Sequence, residues 1–160
     1  GFPIHTGSGG FAVEAIRARY EDEIAPGDVF LLNDPYEAGG NHLPDWVVAW
    51  PVFEGGRLIA FTCNRAHQSD IGGGAAGTYN PAATEIFHEG LRIPPLKLMR
   101  GGEMDDGLFR LLMLNTRTPH LQEGDLLIWD NTSVMHRSMG GYADSPRLLY
   151  RTQAFMQPLD

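Results

Sequence analysis

The sequence contains no apolar run long enough to cross a membrane. Its longest such run covers residues 46–53, whereas a spanning helix needs about 20 apolar residues. A positively charged start followed by an apolar stretch is also missing, so we expect no secretory signal. Cys63 has no second cysteine with which to form an internal disulfide. We therefore expect a reducing, cytoplasmic setting, with Cys63 as a core residue and not a nucleophile.

Basic residues are also scarce. The 160 residues include 12 Lys and Arg against 20 Asp and Glu, which gives a formal net charge of −8. Nucleic acids and anionic membranes bind clustered Lys and Arg, so this charge argues against both as partners. The chain is 42% hydrophobic, which is enough for the core of one domain. It begins with Gly1 and not with Met, so we expect a piece of a longer chain.

Apolar periodicity and turn residues predict an alternation of helices and strands. The predicted helices cover residues 13–20, 81–89 and a segment that begins at 105, and the predicted strands cover 29–32, 46–53, 57–63, 126–129 and 148–155. Gly55 and Gly56 between two strands are typical of a hairpin turn, and Pro51 indicates an edge strand or a bulge. The predicted fold class is α+β, with an antiparallel hairpin-based sheet and two or three short helices.

Two His-x-x-Asp dyads are the main chemical feature of the sequence: His42 with Asp45, and His67 with Asp70. Four ligands of one ion must all lie about 2.0–2.2 Å from it, so neighbouring chain segments must supply them. Two imidazoles and two carboxylates suit Zn, Mn or Fe(II). A bound water at an open coordination position becomes a nucleophile near neutral pH. A single dyad is usually an ordinary surface pair, so the hypothesis depends on whether the two dyads meet.

The predicted hairpin would bring the dyads together. A two-residue turn at Gly55 and Gly56 sets Glu54 opposite Arg57, and Asp45 then falls opposite Ala66. Neighbouring strands lie about 4.8 Å apart, so both dyads would leave the open end of the hairpin side by side. A turn of another length would shift this register by one or two residues.

Asp34 is a further acidic group upstream of the dyads. Three roles are open for it: a metal ligand, an acceptor for an N–H of a ligating histidine, or a turn former in the segment 33–36. On the sequence alone the turn role is favoured.

Several motifs resemble the hydantoinase B/oxoprolinase family, over about residues 4–125. They are GDVFLLNDPY at 27–36, GGNHLPD at 39–45, RAHQSDIG at 65–72, ATEIFHEGLRIPP at 83–95 and NTRTP at 115–119. The family includes subunits of ATP-dependent N-methylhydantoinase, of 5-oxoprolinase, and of acetone and acetophenone carboxylases. The resemblance implies metal-assisted chemistry on a small cyclic amide or ketone, with ATP handled by a partner subunit or domain of the hydantoinase A type.

In the acetone carboxylase branch of that family both dyads bind manganese, and they map onto His42, Asp45, His67 and Asp70. The resemblance therefore favours Mn, with Zn and Fe as the other metals. Family members are several times longer than this chain, and Gln68 stands where many carry a second histidine. The glycine-rich stretch 72–77 is not followed by Gly-Lys-Ser/Thr, so we expect no autonomous ATP site.

The last part of the chain, residues 126–160, resembles the C-terminal strands of the taurine dioxygenase family of Fe(II)/2-oxoglutarate enzymes. The resemblance rests on GDLLIWDN at 124–131, followed by His136, Arg147 and Arg151. It implies that His136 is an iron ligand and that the two arginines bind the 2-oxoglutarate carboxylate. However, that site also needs a His-x-Asp or His-x-Glu pair, which this sequence lacks. We favour strands that pack, with His136 as an ordinary histidine.

The leading hypothesis is a fragment of a metal-dependent catalytic subunit of the hydantoinase B type, inactive alone and joined to the dioxygenase-like tail after residue 125. Its metal would polarise a substrate carbonyl or activate water, with Asp34 and Glu85 as supporting catalytic residues. One alternative is a hybrid or truncated 2-oxoglutarate oxygenase. Another is a non-catalytic module in which the metal only stabilises the fold.

Overall fold

An antiparallel sheet organises the chain in the computed structural model, which describes residues 8–119 and 157–158. The strands are β1 (Val29–Leu32), β2 (Asp45–Glu54), β3 (Arg57–His67), β4 (Leu96–Arg100), β5 (Glu103–Met104) and β6 (Gln157–Pro158), and the helices are α1 (Ser8–Tyr20), α2 (Pro35–Ala38) and α3 (Asp106–Leu114). The strand order is β5-β4-β1-β2-β3-β6, and every pair is antiparallel. The predicted α+β class is confirmed. No helix among the described residues has both the length and the apolar composition that a membrane crossing needs.

The hairpin of β2 and β3 forms at the predicted turn. Gly55 and Gly56 have φ of 56° and 82°, and two consecutive positive φ values are what the favoured two-residue hairpin turn requires. Glu54 and Arg57 pair across this turn, as predicted.

A β-bulge then shifts the register of the hairpin by one residue. Val52 pairs with Ala60 while Phe53 pairs with Leu58, so Ile59 is the extra residue of β3. Beyond the bulge Asp45 pairs with His67, so the predicted pairing of Asp45 with Ala66 is wrong. A bulge was one of the two features that Pro51 indicated, but the turn residues alone could not place it.

Each face of the sheet carries its own apolar core, because alternate residues of a strand point to opposite faces. Helices α1 and α2 cover one face, whose core consists of Ala12, Ile16, Phe30, Leu32, Ala38, Val47, Ala49 and Phe61. The core of the other face consists of Leu31, Leu43, Trp46, Ile71, Ile93, Leu98 and Leu112. Cys63 packs against the first core. Burial raises the pKa of its thiol to about 12 against the opposing charge of Arg65, so the thiol stays protonated at neutral pH, as expected of a core residue.

The helix predicted at 81–89 is wrong. This segment contains a turn at Asn80, whose Oδ1 accepts a hydrogen bond from the Ala82 N–H, and a short 3₁₀ helix at Ile86–His88. Glu85 lies between them with extended dihedrals, φ −153° and ψ 154°, which no helix tolerates. Asn80 therefore closes a local turn instead of starting a helix. The strands predicted at 126–129 and 148–155 lie outside the described residues.

An ion pair between Asp28 and Lys97 is buried where β1 meets β4. Lys97 Nζ lies 2.8 Å from Asp28 Oδ2, and the two side chains are 7% and 2% exposed. Burial alone would raise the pKa of Asp28, but the hydrogen bond from Lys97 and those from the N–H groups of Ala25 and Gly101 hold it below its ordinary value. The pair thus fixes the segment before β1 to the outer part of the sheet.

Replacing Lys97 with Met is expected to lower the free energy of unfolding by about 3–5 kcal/mol, because it leaves a buried carboxylate without its cation. Urea denaturation followed by circular dichroism measures the change. Arg57→Met at the exposed hairpin turn is the matched control and should stay within about 0.5 kcal/mol of the parent. Adding Asp28→Asn to Lys97→Met should recover most of the loss. Equal stability of Lys97→Met and Arg57→Met would contradict this role of the pair.

Candidate metal centre

The open end of the β2–β3 hairpin brings Asp45 and His67 together. They are direct cross-strand partners at the first residue of β2 and the last residue of β3, and directly opposed residues project from the same face. His67 Nδ1 lies 3.1 Å from Asp45 Oδ1. The bulge at Ile59 produces this pairing, since the register without it would place Ala66 beside Asp45.

His42 reaches the same point through the turn that precedes β2. The Asp45 N–H donates to the His42 carbonyl over 3.2 Å, so the chain curves back and His42 Nε2 lies 3.4 Å from Asp45 Oδ2. Leu43 is fully buried within this turn, and Asn33 Nδ2 donates to its carbonyl over 2.7 Å. A buried side chain and a backbone hydrogen bond therefore anchor the turn that presents His42.

The donor atoms of His42, Asp45 and His67 fit a metal ion. One ligand atom from each lies within 4.8 Å of the other two. The closest separations are 3.1 Å from His67 Nδ1 to Asp45 Oδ1 and 3.4 Å from His42 Nε2 to the other oxygen, Asp45 Oδ2. Neighbouring ligands at about 2.1 Å from one ion are about 3.0 Å apart in an octahedron and about 3.4 Å in a tetrahedron. Two imidazoles and one carboxylate are also a donor set that Zn, Mn and Fe(II) accept.

The exposure of these three residues differs in a way that suits catalysis more than structure. The Asp45 side chain is 4% exposed, whereas those of His42 and His67 are 43% and 50% exposed. The buried carboxylate lies at the base of the group, and the imidazoles face solvent. Catalytic metal sites typically use three protein ligands and keep a further position for water or substrate.

Arg65 adds a positive charge to the same face of β3. It pairs with Val47, two residues along the ladder from Asp45. Burial lowers the pKa of the Arg65 guanidinium, and the charge of Asp45 opposes that change. The Asp45 carboxylate is thus within electrostatic reach of a cation from the protein as well as of the two imidazoles.

Asp70, the fourth predicted ligand, is not part of this group of three. Its side chain is 3% exposed and lies 3.1 Å from Arg117 Nη1. Its carboxylate also accepts from the backbone N–H groups of Gly72, Gly77 and Arg117, over 2.9, 3.1 and 3.1 Å. Burial alone would raise the pKa of Asp70, but these donors hold it below its ordinary value. Ligation by Asp70 stays a prediction, and its described contacts instead organise the loop of residues 72–77.

The sequence did not single out two residues that contact the second dyad or the loop after it, Thr78 and Arg117. Thr78 Oγ1 lies 3.1 Å from His67 Nε2, and Arg117 donates to the carbonyls of Gly72, Gly73 and Ala75. The NTRTP motif that contains Arg117 and the glycine run before Thr78 were the available signals. Neither signal predicts that the residue after the loop contacts His67.

The two predicted supporting residues make their described hydrogen bonds elsewhere. Asp34 caps α2, where its Oδ1 accepts from the N–H groups of Tyr36 and Glu37, so the turn role favoured from the sequence is observed. Arg92 lies 2.6 Å from Asp34 Oδ2; burial alone would raise the pKa of Asp34, but this contact and the capping N–H groups hold it low. Glu85 is exposed and pairs with His88.

A cleft of about 520 Å³ lies between the region of α2 and the loop of residues 72–77. Its lining includes Asp34, Glu37, Gly72, Phe87, Arg92 and Asn115. The loop of residues 72–77 therefore borders this cleft at its first two residues, Gly72 and Gly73, and Thr78, which follows the loop, contacts His67. His136, Arg147 and Arg151, predicted for iron and 2-oxoglutarate, lie outside the described residues.

Comparison with known proteins finds relatives that are similar in sequence and in fold. Caprolactamase subunit beta of Pseudomonas jessenii is 44% identical over 124 residues, which are 78% of this chain and 21% of that protein. The crystal structure of the ATP-dependent caprolactamase from that organism has a TM-score of 0.73 over the same shares. The 5-oxoprolinase of Saccharomyces cerevisiae is 35% identical over 113 residues, which are 70% of this chain and 9% of that protein.

A solved structure of acetone carboxylase without nucleotide has the same fold. Its TM-score is 0.71 at 23% identity, over 76% of this chain and 16% of that one. The chain thus spans about a fifth or less of the length of these proteins. The family model for hydantoinase B/oxoprolinase matches residues 1–128, which is most of the sequence. The chain belongs to the hydantoinase B/oxoprolinase family.

Proposed function

We propose that this chain carries the divalent-metal site of a catalytic subunit that acts, with ATP, on a small cyclic amide or ketone. The convergence of His42, Asp45 and His67 carries the proposal, because three donors of suitable type meet within ligand distance of one another. The relatives named for an ATP-dependent caprolactamase and for 5-oxoprolinase support the cyclic-amide class. The fold is shared with acetone carboxylase, so we retain a ketone as the alternative substrate class.

The residues of this chain would bind and orient the metal. Asp45, held at the base of the site, offers one carboxylate oxygen towards His67 and the other towards His42. The anchored turn at Leu43 fixes the position of His42. A divalent ion bound there would polarise a carbonyl or lower the pKa of a bound water. Two imidazoles and a carboxylate accept manganese, zinc or iron, and of these we favour manganese, which the family resemblance of the sequence implies.

ATP would be handled by another polypeptide or domain. The described residues include no phosphate-binding loop, since the glycines at 72–74 are followed by Ala75 and Ala76 and not by Gly-Lys-Ser/Thr. The caprolactamase relative is named as a beta subunit, which implies at least one partner subunit in that enzyme. We propose a partner of the hydantoinase A type, and we expect the chain alone to turn over no substrate.

The dioxygenase-like interpretation of residues 126–160 is not carried forward. The family match extends to residue 128, and neither the comparisons nor the described residues support that interpretation. A metal that only stabilises the fold is the remaining alternative. The half-exposed imidazoles favour catalysis over this alternative, because structural metal sites are closed by four protein ligands.

Metal reconstitution tests the site directly. The chain loaded with Mn(II) and freed of excess metal should hold about one ion per chain in elemental analysis, because the three donors define one site. The double variant His42→Ala/His67→Ala should hold almost none. His88→Ala is the matched control, since His88 is equally exposed and pairs with Glu85 outside the group. Metal binding by the double variant at the level of the parent would show that the site lies elsewhere.

Turnover separates a catalytic metal from a structural one. In the complete subunit with its ATP-binding partner, Asp45→Asn should lower kcat/KM for lactam-dependent ATP hydrolysis at least about 100-fold, because the metal supplies several kcal/mol. Glu103→Gln, at an exposed residue of β5 outside the metal group, is the control and should retain most activity. Metal-dependent melting of the parent with no lactam or ketone turnover would favour the purely structural role and refute the catalytic one.

A further inference from the structure

His67 has a partner on each of its two ring nitrogens. Nδ1 faces Asp45 Oδ1 at 3.1 Å, and Nε2 faces Thr78 Oγ1 at 3.1 Å. A histidine that binds a metal through one nitrogen commonly donates the N–H of the other to an oxygen acceptor, which fixes the tautomer and the direction of the ring. Thr78 occupies the position of such an acceptor.

The backbone of Thr78 is held in a conformation that threonine rarely adopts. Its φ is 61°, in the left-handed region, where a β-branched residue is a genuine outlier. Such strain costs about 1–3 kcal/mol and persists only where the surroundings impose it. The backbone therefore needs a strong local constraint at this point.

That constraint comes from the loop of residues 72–77, which ends at Thr78. Asp70 Oδ2 accepts from the Gly77 N–H, one residue before Thr78, while Arg117 holds the carbonyls of Gly72, Gly73 and Ala75. Gly73 has φ 80° and no space for a side chain, since a Cβ would lie 2.6 Å from the His88 carbonyl. The buried carboxylate and the arginine thus fix both ends of the loop.

We propose that Thr78 is a positioning residue for the metal ligand His67, and that Asp70 and Arg117 hold Thr78 in place through the loop of residues 72–77. Thr78 Oγ1 accepts the Nε2–H hydrogen bond, so Nδ1 carries the lone pair on the side of Asp45. The inference rests on the proposed function, because it takes His67 as a metal ligand. In this proposal the two residues of the second dyad have different roles: His67 binds the metal, and Asp70 holds the loop.

The hydroxyl of Thr78 is tested with Mn(II) as the probe and its dissociation constant as the readout. Thr78→Val keeps the β-branched shape and removes the acceptor, so the dissociation constant should rise about 10–100-fold. Thr78→Ser keeps the hydroxyl and should restore most of the affinity. Thr84→Val, at an exposed threonine farther along the chain, is the control and should bind like the parent. The absorption spectrum of the Co(II)-loaded protein should change in Thr78→Val alone.

The loop is tested by removing Arg117. Arg117 carries the same sign of charge as the metal, so simple electrostatics predicts that Arg117→Met binds Mn(II) at least as tightly as the parent. The positioning role predicts weaker binding instead. Arg110→Met, on the exposed side of α3, is the control for loss of a positive charge. The variant that combines Asp70→Asn with Thr78→Val should bind Mn(II) no more weakly than Thr78→Val alone. The effects of substituting two residues that act through one contact are not additive.

The outcomes separate this inference from the proposed function. A parent chain that takes up no Mn(II) overturns both. A parent that binds Mn(II), with Thr78→Val equally tight and unchanged in its Co(II) spectrum, overturns the role of Thr78 alone. Unchanged or tighter binding by Arg117→Met overturns the role of the loop. A combined Asp70→Asn/Thr78→Val variant that binds Mn(II) more weakly than Thr78→Val alone refutes a role of Asp70 that acts only through Thr78. Melting curves of the metal-free variants confirm that each one folds.

Discussion

The register of the β2–β3 hairpin is the constraint on which the site depends. Side chains alternate between faces with a period of two, so a slip of one residue moves a whole strand segment to the opposite face. The bulge at Ile59 supplies that one residue and sets His67, not Ala66, opposite Asp45. Without it the carboxylate and the imidazole would project from opposite faces of the sheet. A feature eight residues along the strand from His67 thus decides whether three metal donors meet.

The two dyads share a spacing but are used differently. In the first, the turn anchored at Leu43 curves the chain so that His42 and Asp45 both join the group. In the second, His67 is the last residue of β3, and the chain leaves the strand before it reaches Asp70. The Asp70 carboxylate is then surrounded by backbone N–H groups and Arg117. Spacing alone could not distinguish these outcomes, because side chains three residues apart point in different relative directions in a turn and at a strand end.

Most features that depend on local chemistry were predictable from the sequence, with the segment 81–89 as the exception, and features that depend on distant contacts were not. The hairpin turn follows from two adjacent glycines, and α3 starts where Asp105 caps it. The segment 81–89 has helix signals at both ends, yet Asn80 uses its side chain to close a turn. Arg117 contacts Asp70 across 47 residues of sequence, and no periodicity reports such a contact. The family motifs predicted His42, Asp45 and His67 as ligands, and the structure brings these three together, but the motifs did not reveal that Thr78 contacts the ring of His67.

The site has a buried base and an open side. The Asp45 carboxylate is buried, whereas His67 at the end of β3 and His42 in the turn before β2 are half exposed. Tyr79, next to Thr78, is 82% exposed, and Phe87 at the cleft is 68% exposed. The three donors lie in one hairpin and the turn before it, while the open side leaves room for the substrate and for the longer subunit that we propose.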